Sequence, residues 1–209
     1  QEKQIEAIKL ALNSCAMVLT GGPGTGKTTI LKAIIEILED FGLDIALAAP
    51  TGRAAKRMSE LTGKESKTIH RLLEVEWSKD DKPYFTRNET NPLNFDVIIV
   101  DEMSMVDSIL FESLLRATPL GSRIIMVGDS DQLPSVGAGN VLNDILKSGA
   151  VPSIKLTEIF RQALESLIVS NAHNIIKGTY PKLDVKDNDM FMIDINDASK
   201  VAEYIVSLC

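Results

Sequence analysis

The stretch CAMVLTGGPGTGKTTILKAIIEILEDF, residues 15–41, joins a strand, a loop and a helix in one short run. Its opening, CAMVLT (15–20), is apolar enough and long enough for a strand buried on both faces. A glycine-rich loop follows. In residues 28–41, Ile30, Ile34, Ile37 and Phe41 then recur at helical spacing. Similar runs appear downstream as DIALAA (44–49), FDVIIV (95–100), SRIIMV (122–127) and PSIKLT (152–157), with a helical stretch over roughly 106–117. Continuous apolar runs separated by helices predict an α/β, doubly wound fold, with a parallel sheet carrying helices on both faces. Ligands of such sheets bind at the carboxyl ends of the strands, so the residues just after each strand carry the most information.

The first strand runs into GGPGTGKTT. Gly21, Gly26, Lys27 and Thr28 satisfy the spacing G-x-x-x-x-G-K-[ST]. Glycines let the backbone curl until several N–H groups face one phosphate, and the positive end of the next helix adds to that field. Gly22, Pro23, Gly24, Thr25, Gly26, Lys27, Thr28 and Thr29 are therefore predicted to hold a nucleotide. Lys27 would reach the β- and γ-phosphates, and the Thr28 hydroxyl would ligate Mg²⁺. After FDVIIV come Asp101 and Glu102. Asp101 is predicted to hold Mg²⁺ and Glu102 to polarise the attacking water. The plainer reading of the two acids is a helix N-terminus; with the phosphate loop upstream, the catalytic reading is preferred.

The fourth strand ends in GDSDQLPS. A side-chain amide can donate to a γ-phosphate oxygen and accept from a neighbour, so Gln132 is predicted to sense that phosphate. The competing reading is a turn residue ahead of Pro134. The second strand ends in APTGRAAKRM (49–58), and KTIHRLL (67–73) follows. Residues 51–71 hold six basic side chains against two acidic ones. Hydroxyls, an early-helix backbone and Arg or Lys suit a nucleic-acid phosphate chain, so Pro50, Thr51, Arg53, Lys56, Thr68 and His70 are candidate contacts. A solvated helix face and a structural histidine are the alternatives.

The 209-residue chain carries a net charge of −7, which taken whole argues mildly against nucleic acid. A local basic face is compatible with it, because the Debye length is only about 8 Å in physiological salt. Neither Cys15 nor Cys209 sits in a metal-binding spacing, so a reduced, cytoplasmic protein without a zinc site is expected. No apolar run approaches the roughly 18 residues that cross a bilayer, and no signal-peptide pattern opens the chain, so no membrane association is expected. Gln1 suggests a trimmed N-terminus.

Residues 74–94, EVEWSKDDKPYFTRNETNPLN, break the alternation and read as a β-hairpin insertion with KDDKP at its turn. Near residue 160 the pattern restarts with a helix (about 162–177), a GTYP turn, a strand MFMID (190–194) and a helix (196–208). This predicts a domain over 1–158 and the truncated start of a second over 159–209.

In this order, GGPGTGKT, APTGRAAKRM, KTIHRLL, VDEMSMVD and GDSDQLPSVGAG resemble motifs I, Ia, Ib, II and III of superfamily 1 helicases. The DQLP form with TIHRLL is most similar to the RecD/TraA group, which includes the RecD-type exodeoxyribonuclease V subunit and is related to the Pif and Dda helicases. The resemblance covers roughly residues 1–178. It implies a RecA-like P-loop NTPase fold and a DNA helicase that uses ATP and Mg²⁺ to move, 5′→3′ in the group generally, along single-stranded DNA in recombination, repair or conjugation. It also implies partner subunits of a recombination and repair nuclease. By the same resemblance Gln4 reads adenine, Arg161 in LTEIFRQ acts as an arginine finger from the second motor domain, and the 74–94 insertion is a strand-separating pin. Motifs V and VI are not matched after residue 178. The 209 residues are thus expected to bind nucleotide without unwinding.

Three rivals stand on the sequence alone, and intact Lys27, Asp101 and Glu102 argue against the first, a non-catalytic binding module that kept the fold but lost turnover. A P-loop ATPase without a nucleic-acid substrate accounts for Lys27, Thr28 and Asp101 but leaves Gln132 and the basic 51–71 segment without a role. An RNA-directed superfamily 1 helicase shares every phosphate contact and differs only at the 2′-hydroxyl.

Overall fold

In the computed structural model, residues 2–208 are described except 79, 81, 82, 161, 162, 164, 186, 187 and 196. The chain divides into two compact units, Gln1–Ile159 and Phe160–Cys209. In the first, α1 (Glu2–Asn13), β1 (Ala16–Gly21), α2 (Lys27–Asp40), β2 (Ile45–Ala49), α3 (Gly52–Thr62), β3 (Ser66–Thr68) and α4 (Ile69–Leu72) lead into a small ribbon, β4 (Val75–Trp77) with β5 (Pro83–Phe85). Then come β6 (Val97–Val100), a 3-10 turn (Met103–Met105), α5 (Ser108–Ala117), β7 (Arg123–Gly128), α6 (Val141–Ser148) and β8 (Ser153–Leu156). The second unit carries α7 (Leu167–Ile176) and α8 (Ala198–Leu208).

The main sheet has six strands in the order β3-β2-β6-β7-β1-β8, and every pairing in it is parallel. Successive side chains of a strand face opposite sides, and two cores follow from that period. Ile98, Val100, Ile124 and Met126 bury on one face, beneath α4, α5 and α6. Val97, Ile99, Ile125 and Val127 bury on the other, beneath α1, α2 and α3. Burial of each such side chain contributes about 1.5–3 kcal/mol. This double cover is why the strands read as unbroken apolar runs rather than as alternating ones. The chain leaves β1 and crosses to β2; β6 and β7 fill the space between them. The P-loop therefore opens at a point where the strand order reverses, the usual crevice of such sheets.

Three details differ from the sequence expectation. β3 is an added edge strand, pairing Ser66–Thr68 with Leu47–Ala49; its three half-buried polar residues gave no apolar run to read. In the second unit the expected helix over about 162–177 is described from Leu167 as α7, where the Ser166 hydroxyl accepts from Val169 N, and residues 162 and 164 of that stretch lie outside the described residues. MFMID (190–194) forms no strand. The preceding Asp189 carboxylate is drawn to the α7 N-terminus, accepting from Leu167 N at 2.7 Å, and Phe191, Met192 and Ile193 stay partly exposed without a ladder partner among the described residues.

The 74–94 segment holds the antiparallel β4–β5 pair, in register Val75↔Phe85, Glu76↔Tyr84 and Trp77↔Pro83. Of its expected turn, Lys79, Asp81 and Lys82 lie outside the described residues. Among the described residues no helix is long and apolar enough to cross a membrane.

Candidate active site

β1, β7 and β6 are neighbours, so the loops that follow them converge at one edge of the sheet. The β1 loop is tightly determined. A Cβ at Gly21 would lie 2.8 Å from both the Leu156 carbonyl oxygen and Thr25 Oγ1, so only glycine fits between β8 and the loop. Gly24 and Gly26 have φ of 74° and 86°, left-handed values that turn the backbone into a concave cradle ahead of α2. The buried Thr25 hydroxyl donates to the Gly22 carbonyl at 2.8 Å and closes the loop. The Lys27 ammonium donates to the Gly21 and Gly22 carbonyls and so lies over the cradle. Burial lowers its pKa, and the nearby Asp129, Asp101 and Glu102 oppose that shift.

At the end of β6 the Asp101 N–H donates to the Ala48 carbonyl, while its carboxylate accepts from Glu102 N at 2.9 Å. Burial raises the Asp101 pKa; the Glu102 N–H, Lys27 and Arg57 pull it back. Glu102 sits at φ 54°, ψ 41°, a left-handed conformation costly for a residue with a Cβ and of the kind that clusters at functional sites. Burial and Asp101 raise its pKa as well. From β7, Asp129 is buried, 3% exposed, and its carboxylate accepts from Asp131 N. Gln132 follows on an exposed turn, where its side-chain carbonyl accepts from the Ser104 hydroxyl at 3.2 Å.

Lys27, Asp101 and Glu102 are thus brought together, and Gln132 is tied to the turn that follows Glu102. Thr28 and Thr29 lie in the first turn of α2. Gln4 lies half-buried on α1, beside Lys3, whose ammonium donates to the Lys155 carbonyl at 3.1 Å. The next residue of β8, Leu156, pairs with Gly21, so the start of α1 stands beside the P-loop strand. Arg161 lies outside the described residues.

Two participants were not singled out from the sequence, Asp129 and Arg57. Asp129 follows β7, which the fold places between β1 and β6, and no local signal in the sequence gives that order. Arg57 follows Arg53 by four residues on α3, which puts the two on one stripe of the helix; its charge is felt at Lys27, Asp101 and Glu102.

The candidate nucleic-acid contacts form a second group, at the carboxyl ends of β2 and β3. Pro50 and Thr51 leave β2, and the Thr51 hydroxyl oxygen caps α3 by accepting from Ala54 N. Thr68 caps α4 in the same way from Arg71 N. Both hydroxyls keep a proton to donate. Arg53 is exposed, and Lys56 pairs only loosely with Glu60, at 3.9 Å. His70 packs against Phe85 of the ribbon at a ring-centroid distance of 5.7 Å, so it is at least partly a structural residue.

Among the described residues no group of three or more His, Cys, Asp or Glu side chains could hold a metal ion by itself. The buried Asp101 carboxylate and the Thr28 hydroxyl at the start of α2 would suit Mg²⁺, which is commonly bound by one or two carboxylates together with substrate phosphates. Asp101, Glu102 and Asp129 all act on the Lys27 ammonium, and Arg57 acts on Asp101 and Glu102.

Residues 4–138 match the model of the AAA domain family. The chain is 43% identical over 180 residues to the ATP-dependent RecD2 DNA helicase of Deinococcus radiodurans, covering 86% of this chain and 24% of that protein. It is 38% identical over 192 residues to the RecBCD enzyme subunit RecD of Mycolicibacterium smegmatis, covering 79% and 34%. The solved structure of Bacteroides sp Pif1 in complex with ADP-AlF4 is similar at a TM-score of 0.56 and 27% identity, over 78% of this chain and 43% of that one. The chain therefore spans about a quarter to a third of the length of these two curated relatives.

Proposed function

Because this chain belongs to the AAA domain family, and within it to the RecD-like superfamily 1 helicases, we propose that Gln1–Ile159 is the first RecA-like motor lobe of an ATP-dependent DNA helicase. Phe160–Cys209 is the opening part of the second lobe in this reading. The observation that carries the proposal is the convergence of Lys27, Asp101, Glu102 and the Ser104–Gln132 pair at one sheet edge, with an exposed basic helix, α3, leading away from it.

ATP binds with its phosphates in the 21–28 cradle. Gln4 contacts the adenine, Pro23 lies within the loop and Thr29 follows it. Lys27 exchanges its carbonyl partners for β- and γ-phosphate oxygens, a charge-assisted replacement for neutral bonds. Thr28 and Asp101 would hold Mg²⁺, which would supply charge neutralisation to the bound phosphates. Glu102 takes the proton of the attacking water, a task for which its raised pKa suits it. Gln132 donates to the γ-phosphate and registers its loss on hydrolysis. Arg161 approaches from the second lobe as an arginine finger. Single-stranded DNA lies along Pro50, Thr51, Arg53, Lys56, Thr68 and His70, held through its phosphates. The β4–β5 ribbon acts as a pin. Movement runs 5′→3′, in recombination, repair or conjugation, and other subunits of a recombination nuclease are the expected protein partners.

The test is the ATPase rate of the full-length protein with and without single-stranded DNA, beside Gln132→Ala. Strong stimulation by DNA is expected, together with its loss in the variant while ATP still binds. A rate indifferent to DNA leaves a P-loop ATPase of another substrate. RNA that stimulates as well as DNA moves the assignment to an RNA-directed motor. Strand displacement needs two lobes closing on each other, and none is expected from these 209 residues alone.

A further inference from the structure

The Gln132 amide must present a donor to a phosphate, yet it stands on an exposed turn where a free side chain would sample many rotamers. The structure supplies a restraint. Ser104, 7% exposed, lies in the 3-10 turn directly after Glu102, and its hydroxyl donates to Gln132 Oε1 at 3.2 Å. With the carbonyl end engaged, both protons of the amide nitrogen point away from Ser104.

The turn that carries Ser104 is itself fixed. Met105 N donates to the Glu102 carbonyl at 3.0 Å and Val106 N to the Met103 carbonyl at 3.2 Å. Gly128 lets β7 approach it closely; a Cβ there would lie 3.2 Å from Met103 N. Further along, the Gln132 loop is pinned a second time. Ser108 donates from both N and Oγ to the Ala138 carbonyl, each at 2.9 Å. Gly137 lies so close to Asp107 that a Cβ would come within 2.2 Å of its carboxylate. The loops after β6 and β7 are therefore fastened together at two points, with Glu102 at the root of one and Gln132 on the other.

We infer that Ser104 is a positioning residue. It orients the Gln132 amide toward the γ-phosphate and ties it to the turn of Glu102, so that sensing and hydrolysis respond to one rigid unit. The inference rests on the reading of Gln132 as a phosphate sensor, and its test needs no DNA.

The 209-residue chain, Ser104→Ala, Ser104→Thr, Gln132→Ala and the Ser104→Ala/Gln132→Ala double variant are titrated with a non-hydrolysable ATP analogue plus Mg²⁺, and separately with ADP. Ser104→Ala should lower the preference for the triphosphate about fivefold, the loss of one neutral hydrogen bond. ADP affinity should stay unchanged, Ser104→Thr should restore the preference, and the double variant should match Gln132→Ala. A purely structural role would weaken both ligands equally, and that result overturns the inference. So does parent-like discrimination by Ser104→Ala where Gln132→Ala has lost it. Discrimination that survives in Gln132→Ala removes the sensor role itself, and the role of Ser104 with it. Loss of DNA stimulation in the ATPase assay is a separate result and bears on the motor reading alone.

Discussion

Of the carboxylates around the Lys27 ammonium, Asp129 attracts it most strongly. The topology explains this: β7 lies between β1 and β6, so the first residue after it falls between the P-loop and Asp101–Glu102. Asp129 also helps to raise the Glu102 pKa. Asp129→Asn leaves the burial of Lys27 less opposed, so the ammonium loses its proton at a lower pH. The alkaline limb of kcat/KM for ATP should move down in pH, with kcat falling about tenfold, the scale of one charge-assisted contact. An alkaline limb at the parental pH would show that Asp129 does not govern Lys27.

Asp101 gives a prediction of opposite sense, a gain in stability. Its folded pKa lies above the ordinary 3.8, chiefly through burial. The native state therefore holds that proton more tightly than the unfolded chain does. Stability contributed by the protonated form is lost as pH rises through the window from 3.8 to the raised value. At pH 7 the charged group is a burden. Asp101→Asn should raise Tm at pH 7, and the advantage should shrink as pH falls through that window and the parent becomes neutral too. The same variant should lose Mg²⁺-dependent nucleotide affinity. Equal Tm values for the two proteins at pH 7 would contradict the burial argument.

Most of the candidate site was legible in the sequence because P-loop chemistry requires fixed spacings on one chain segment. Gly21, Gly26, Lys27 and Thr28 could be read directly, and Asp101 and Glu102 followed from a strand that ends in acids. The apolar runs gave five of the six main-sheet strands. β3 escaped because an edge strand of three polar residues leaves no hydrophobic pattern. Asp129, Arg57 and Ser104 escaped for another reason. Their roles depend on which strands become neighbours, and strand order is a long-range property that no local window contains. MFMID shows the converse: apolar composition invites a strand, but a ladder needs a partner.

The close approach of Gly137 to Asp107 makes a stability test. Asp107 caps α5, accepting from Leu110 N at 2.8 Å. Gly137→Ala must displace either the loop or the cap and should cost about 1–3 kcal/mol, the usual range for overpacking. Gly52→Ala is the matched control. It lies in the first turn of α3, where an added Cβ would meet nothing within 4 Å, and should be neutral or stabilising by up to about 1 kcal/mol. Urea midpoints of the two variants against the parent decide the point. Equal midpoints would mean that the 133–139 loop yields freely.

Arg53 and Lys56 are exposed on α3, and among the described residues neither is locked in a close ion pair. If each neutralises one phosphate of a single strand, replacing it by Ala should weaken binding for all sequences alike. It should also flatten the dependence of log K on log salt by about 0.7 per residue. A Glu60→Gln control should leave the slope unchanged. An unaltered slope in Arg53→Ala and Lys56→Ala would place the DNA path elsewhere.

The ribbon provides its own probe, since Trp77 is the single tryptophan of the chain and is 67% exposed. It stands across from Pro83, beside Tyr84, whose hydroxyl donates to Glu76 at 2.6 Å. At the base of the ribbon the Arg87 guanidinium donates to Glu74 at 2.8 Å, and Phe85 packs on His70, so the ribbon is rooted while its tryptophan stays open. An exposed indole can stack on an unpaired base, a contact of about 1–3 kcal/mol. A forked duplex or single strand should then quench Trp77 fluorescence, while ATP alone should not. Trp77→Ala should impair strand separation by the full-length protein more than it impairs DNA-stimulated ATP hydrolysis. Fluorescence that ignores DNA, or a variant that loses hydrolysis and separation in equal measure, would remove the ribbon from the strand-separating step and leave Trp77 a surface residue.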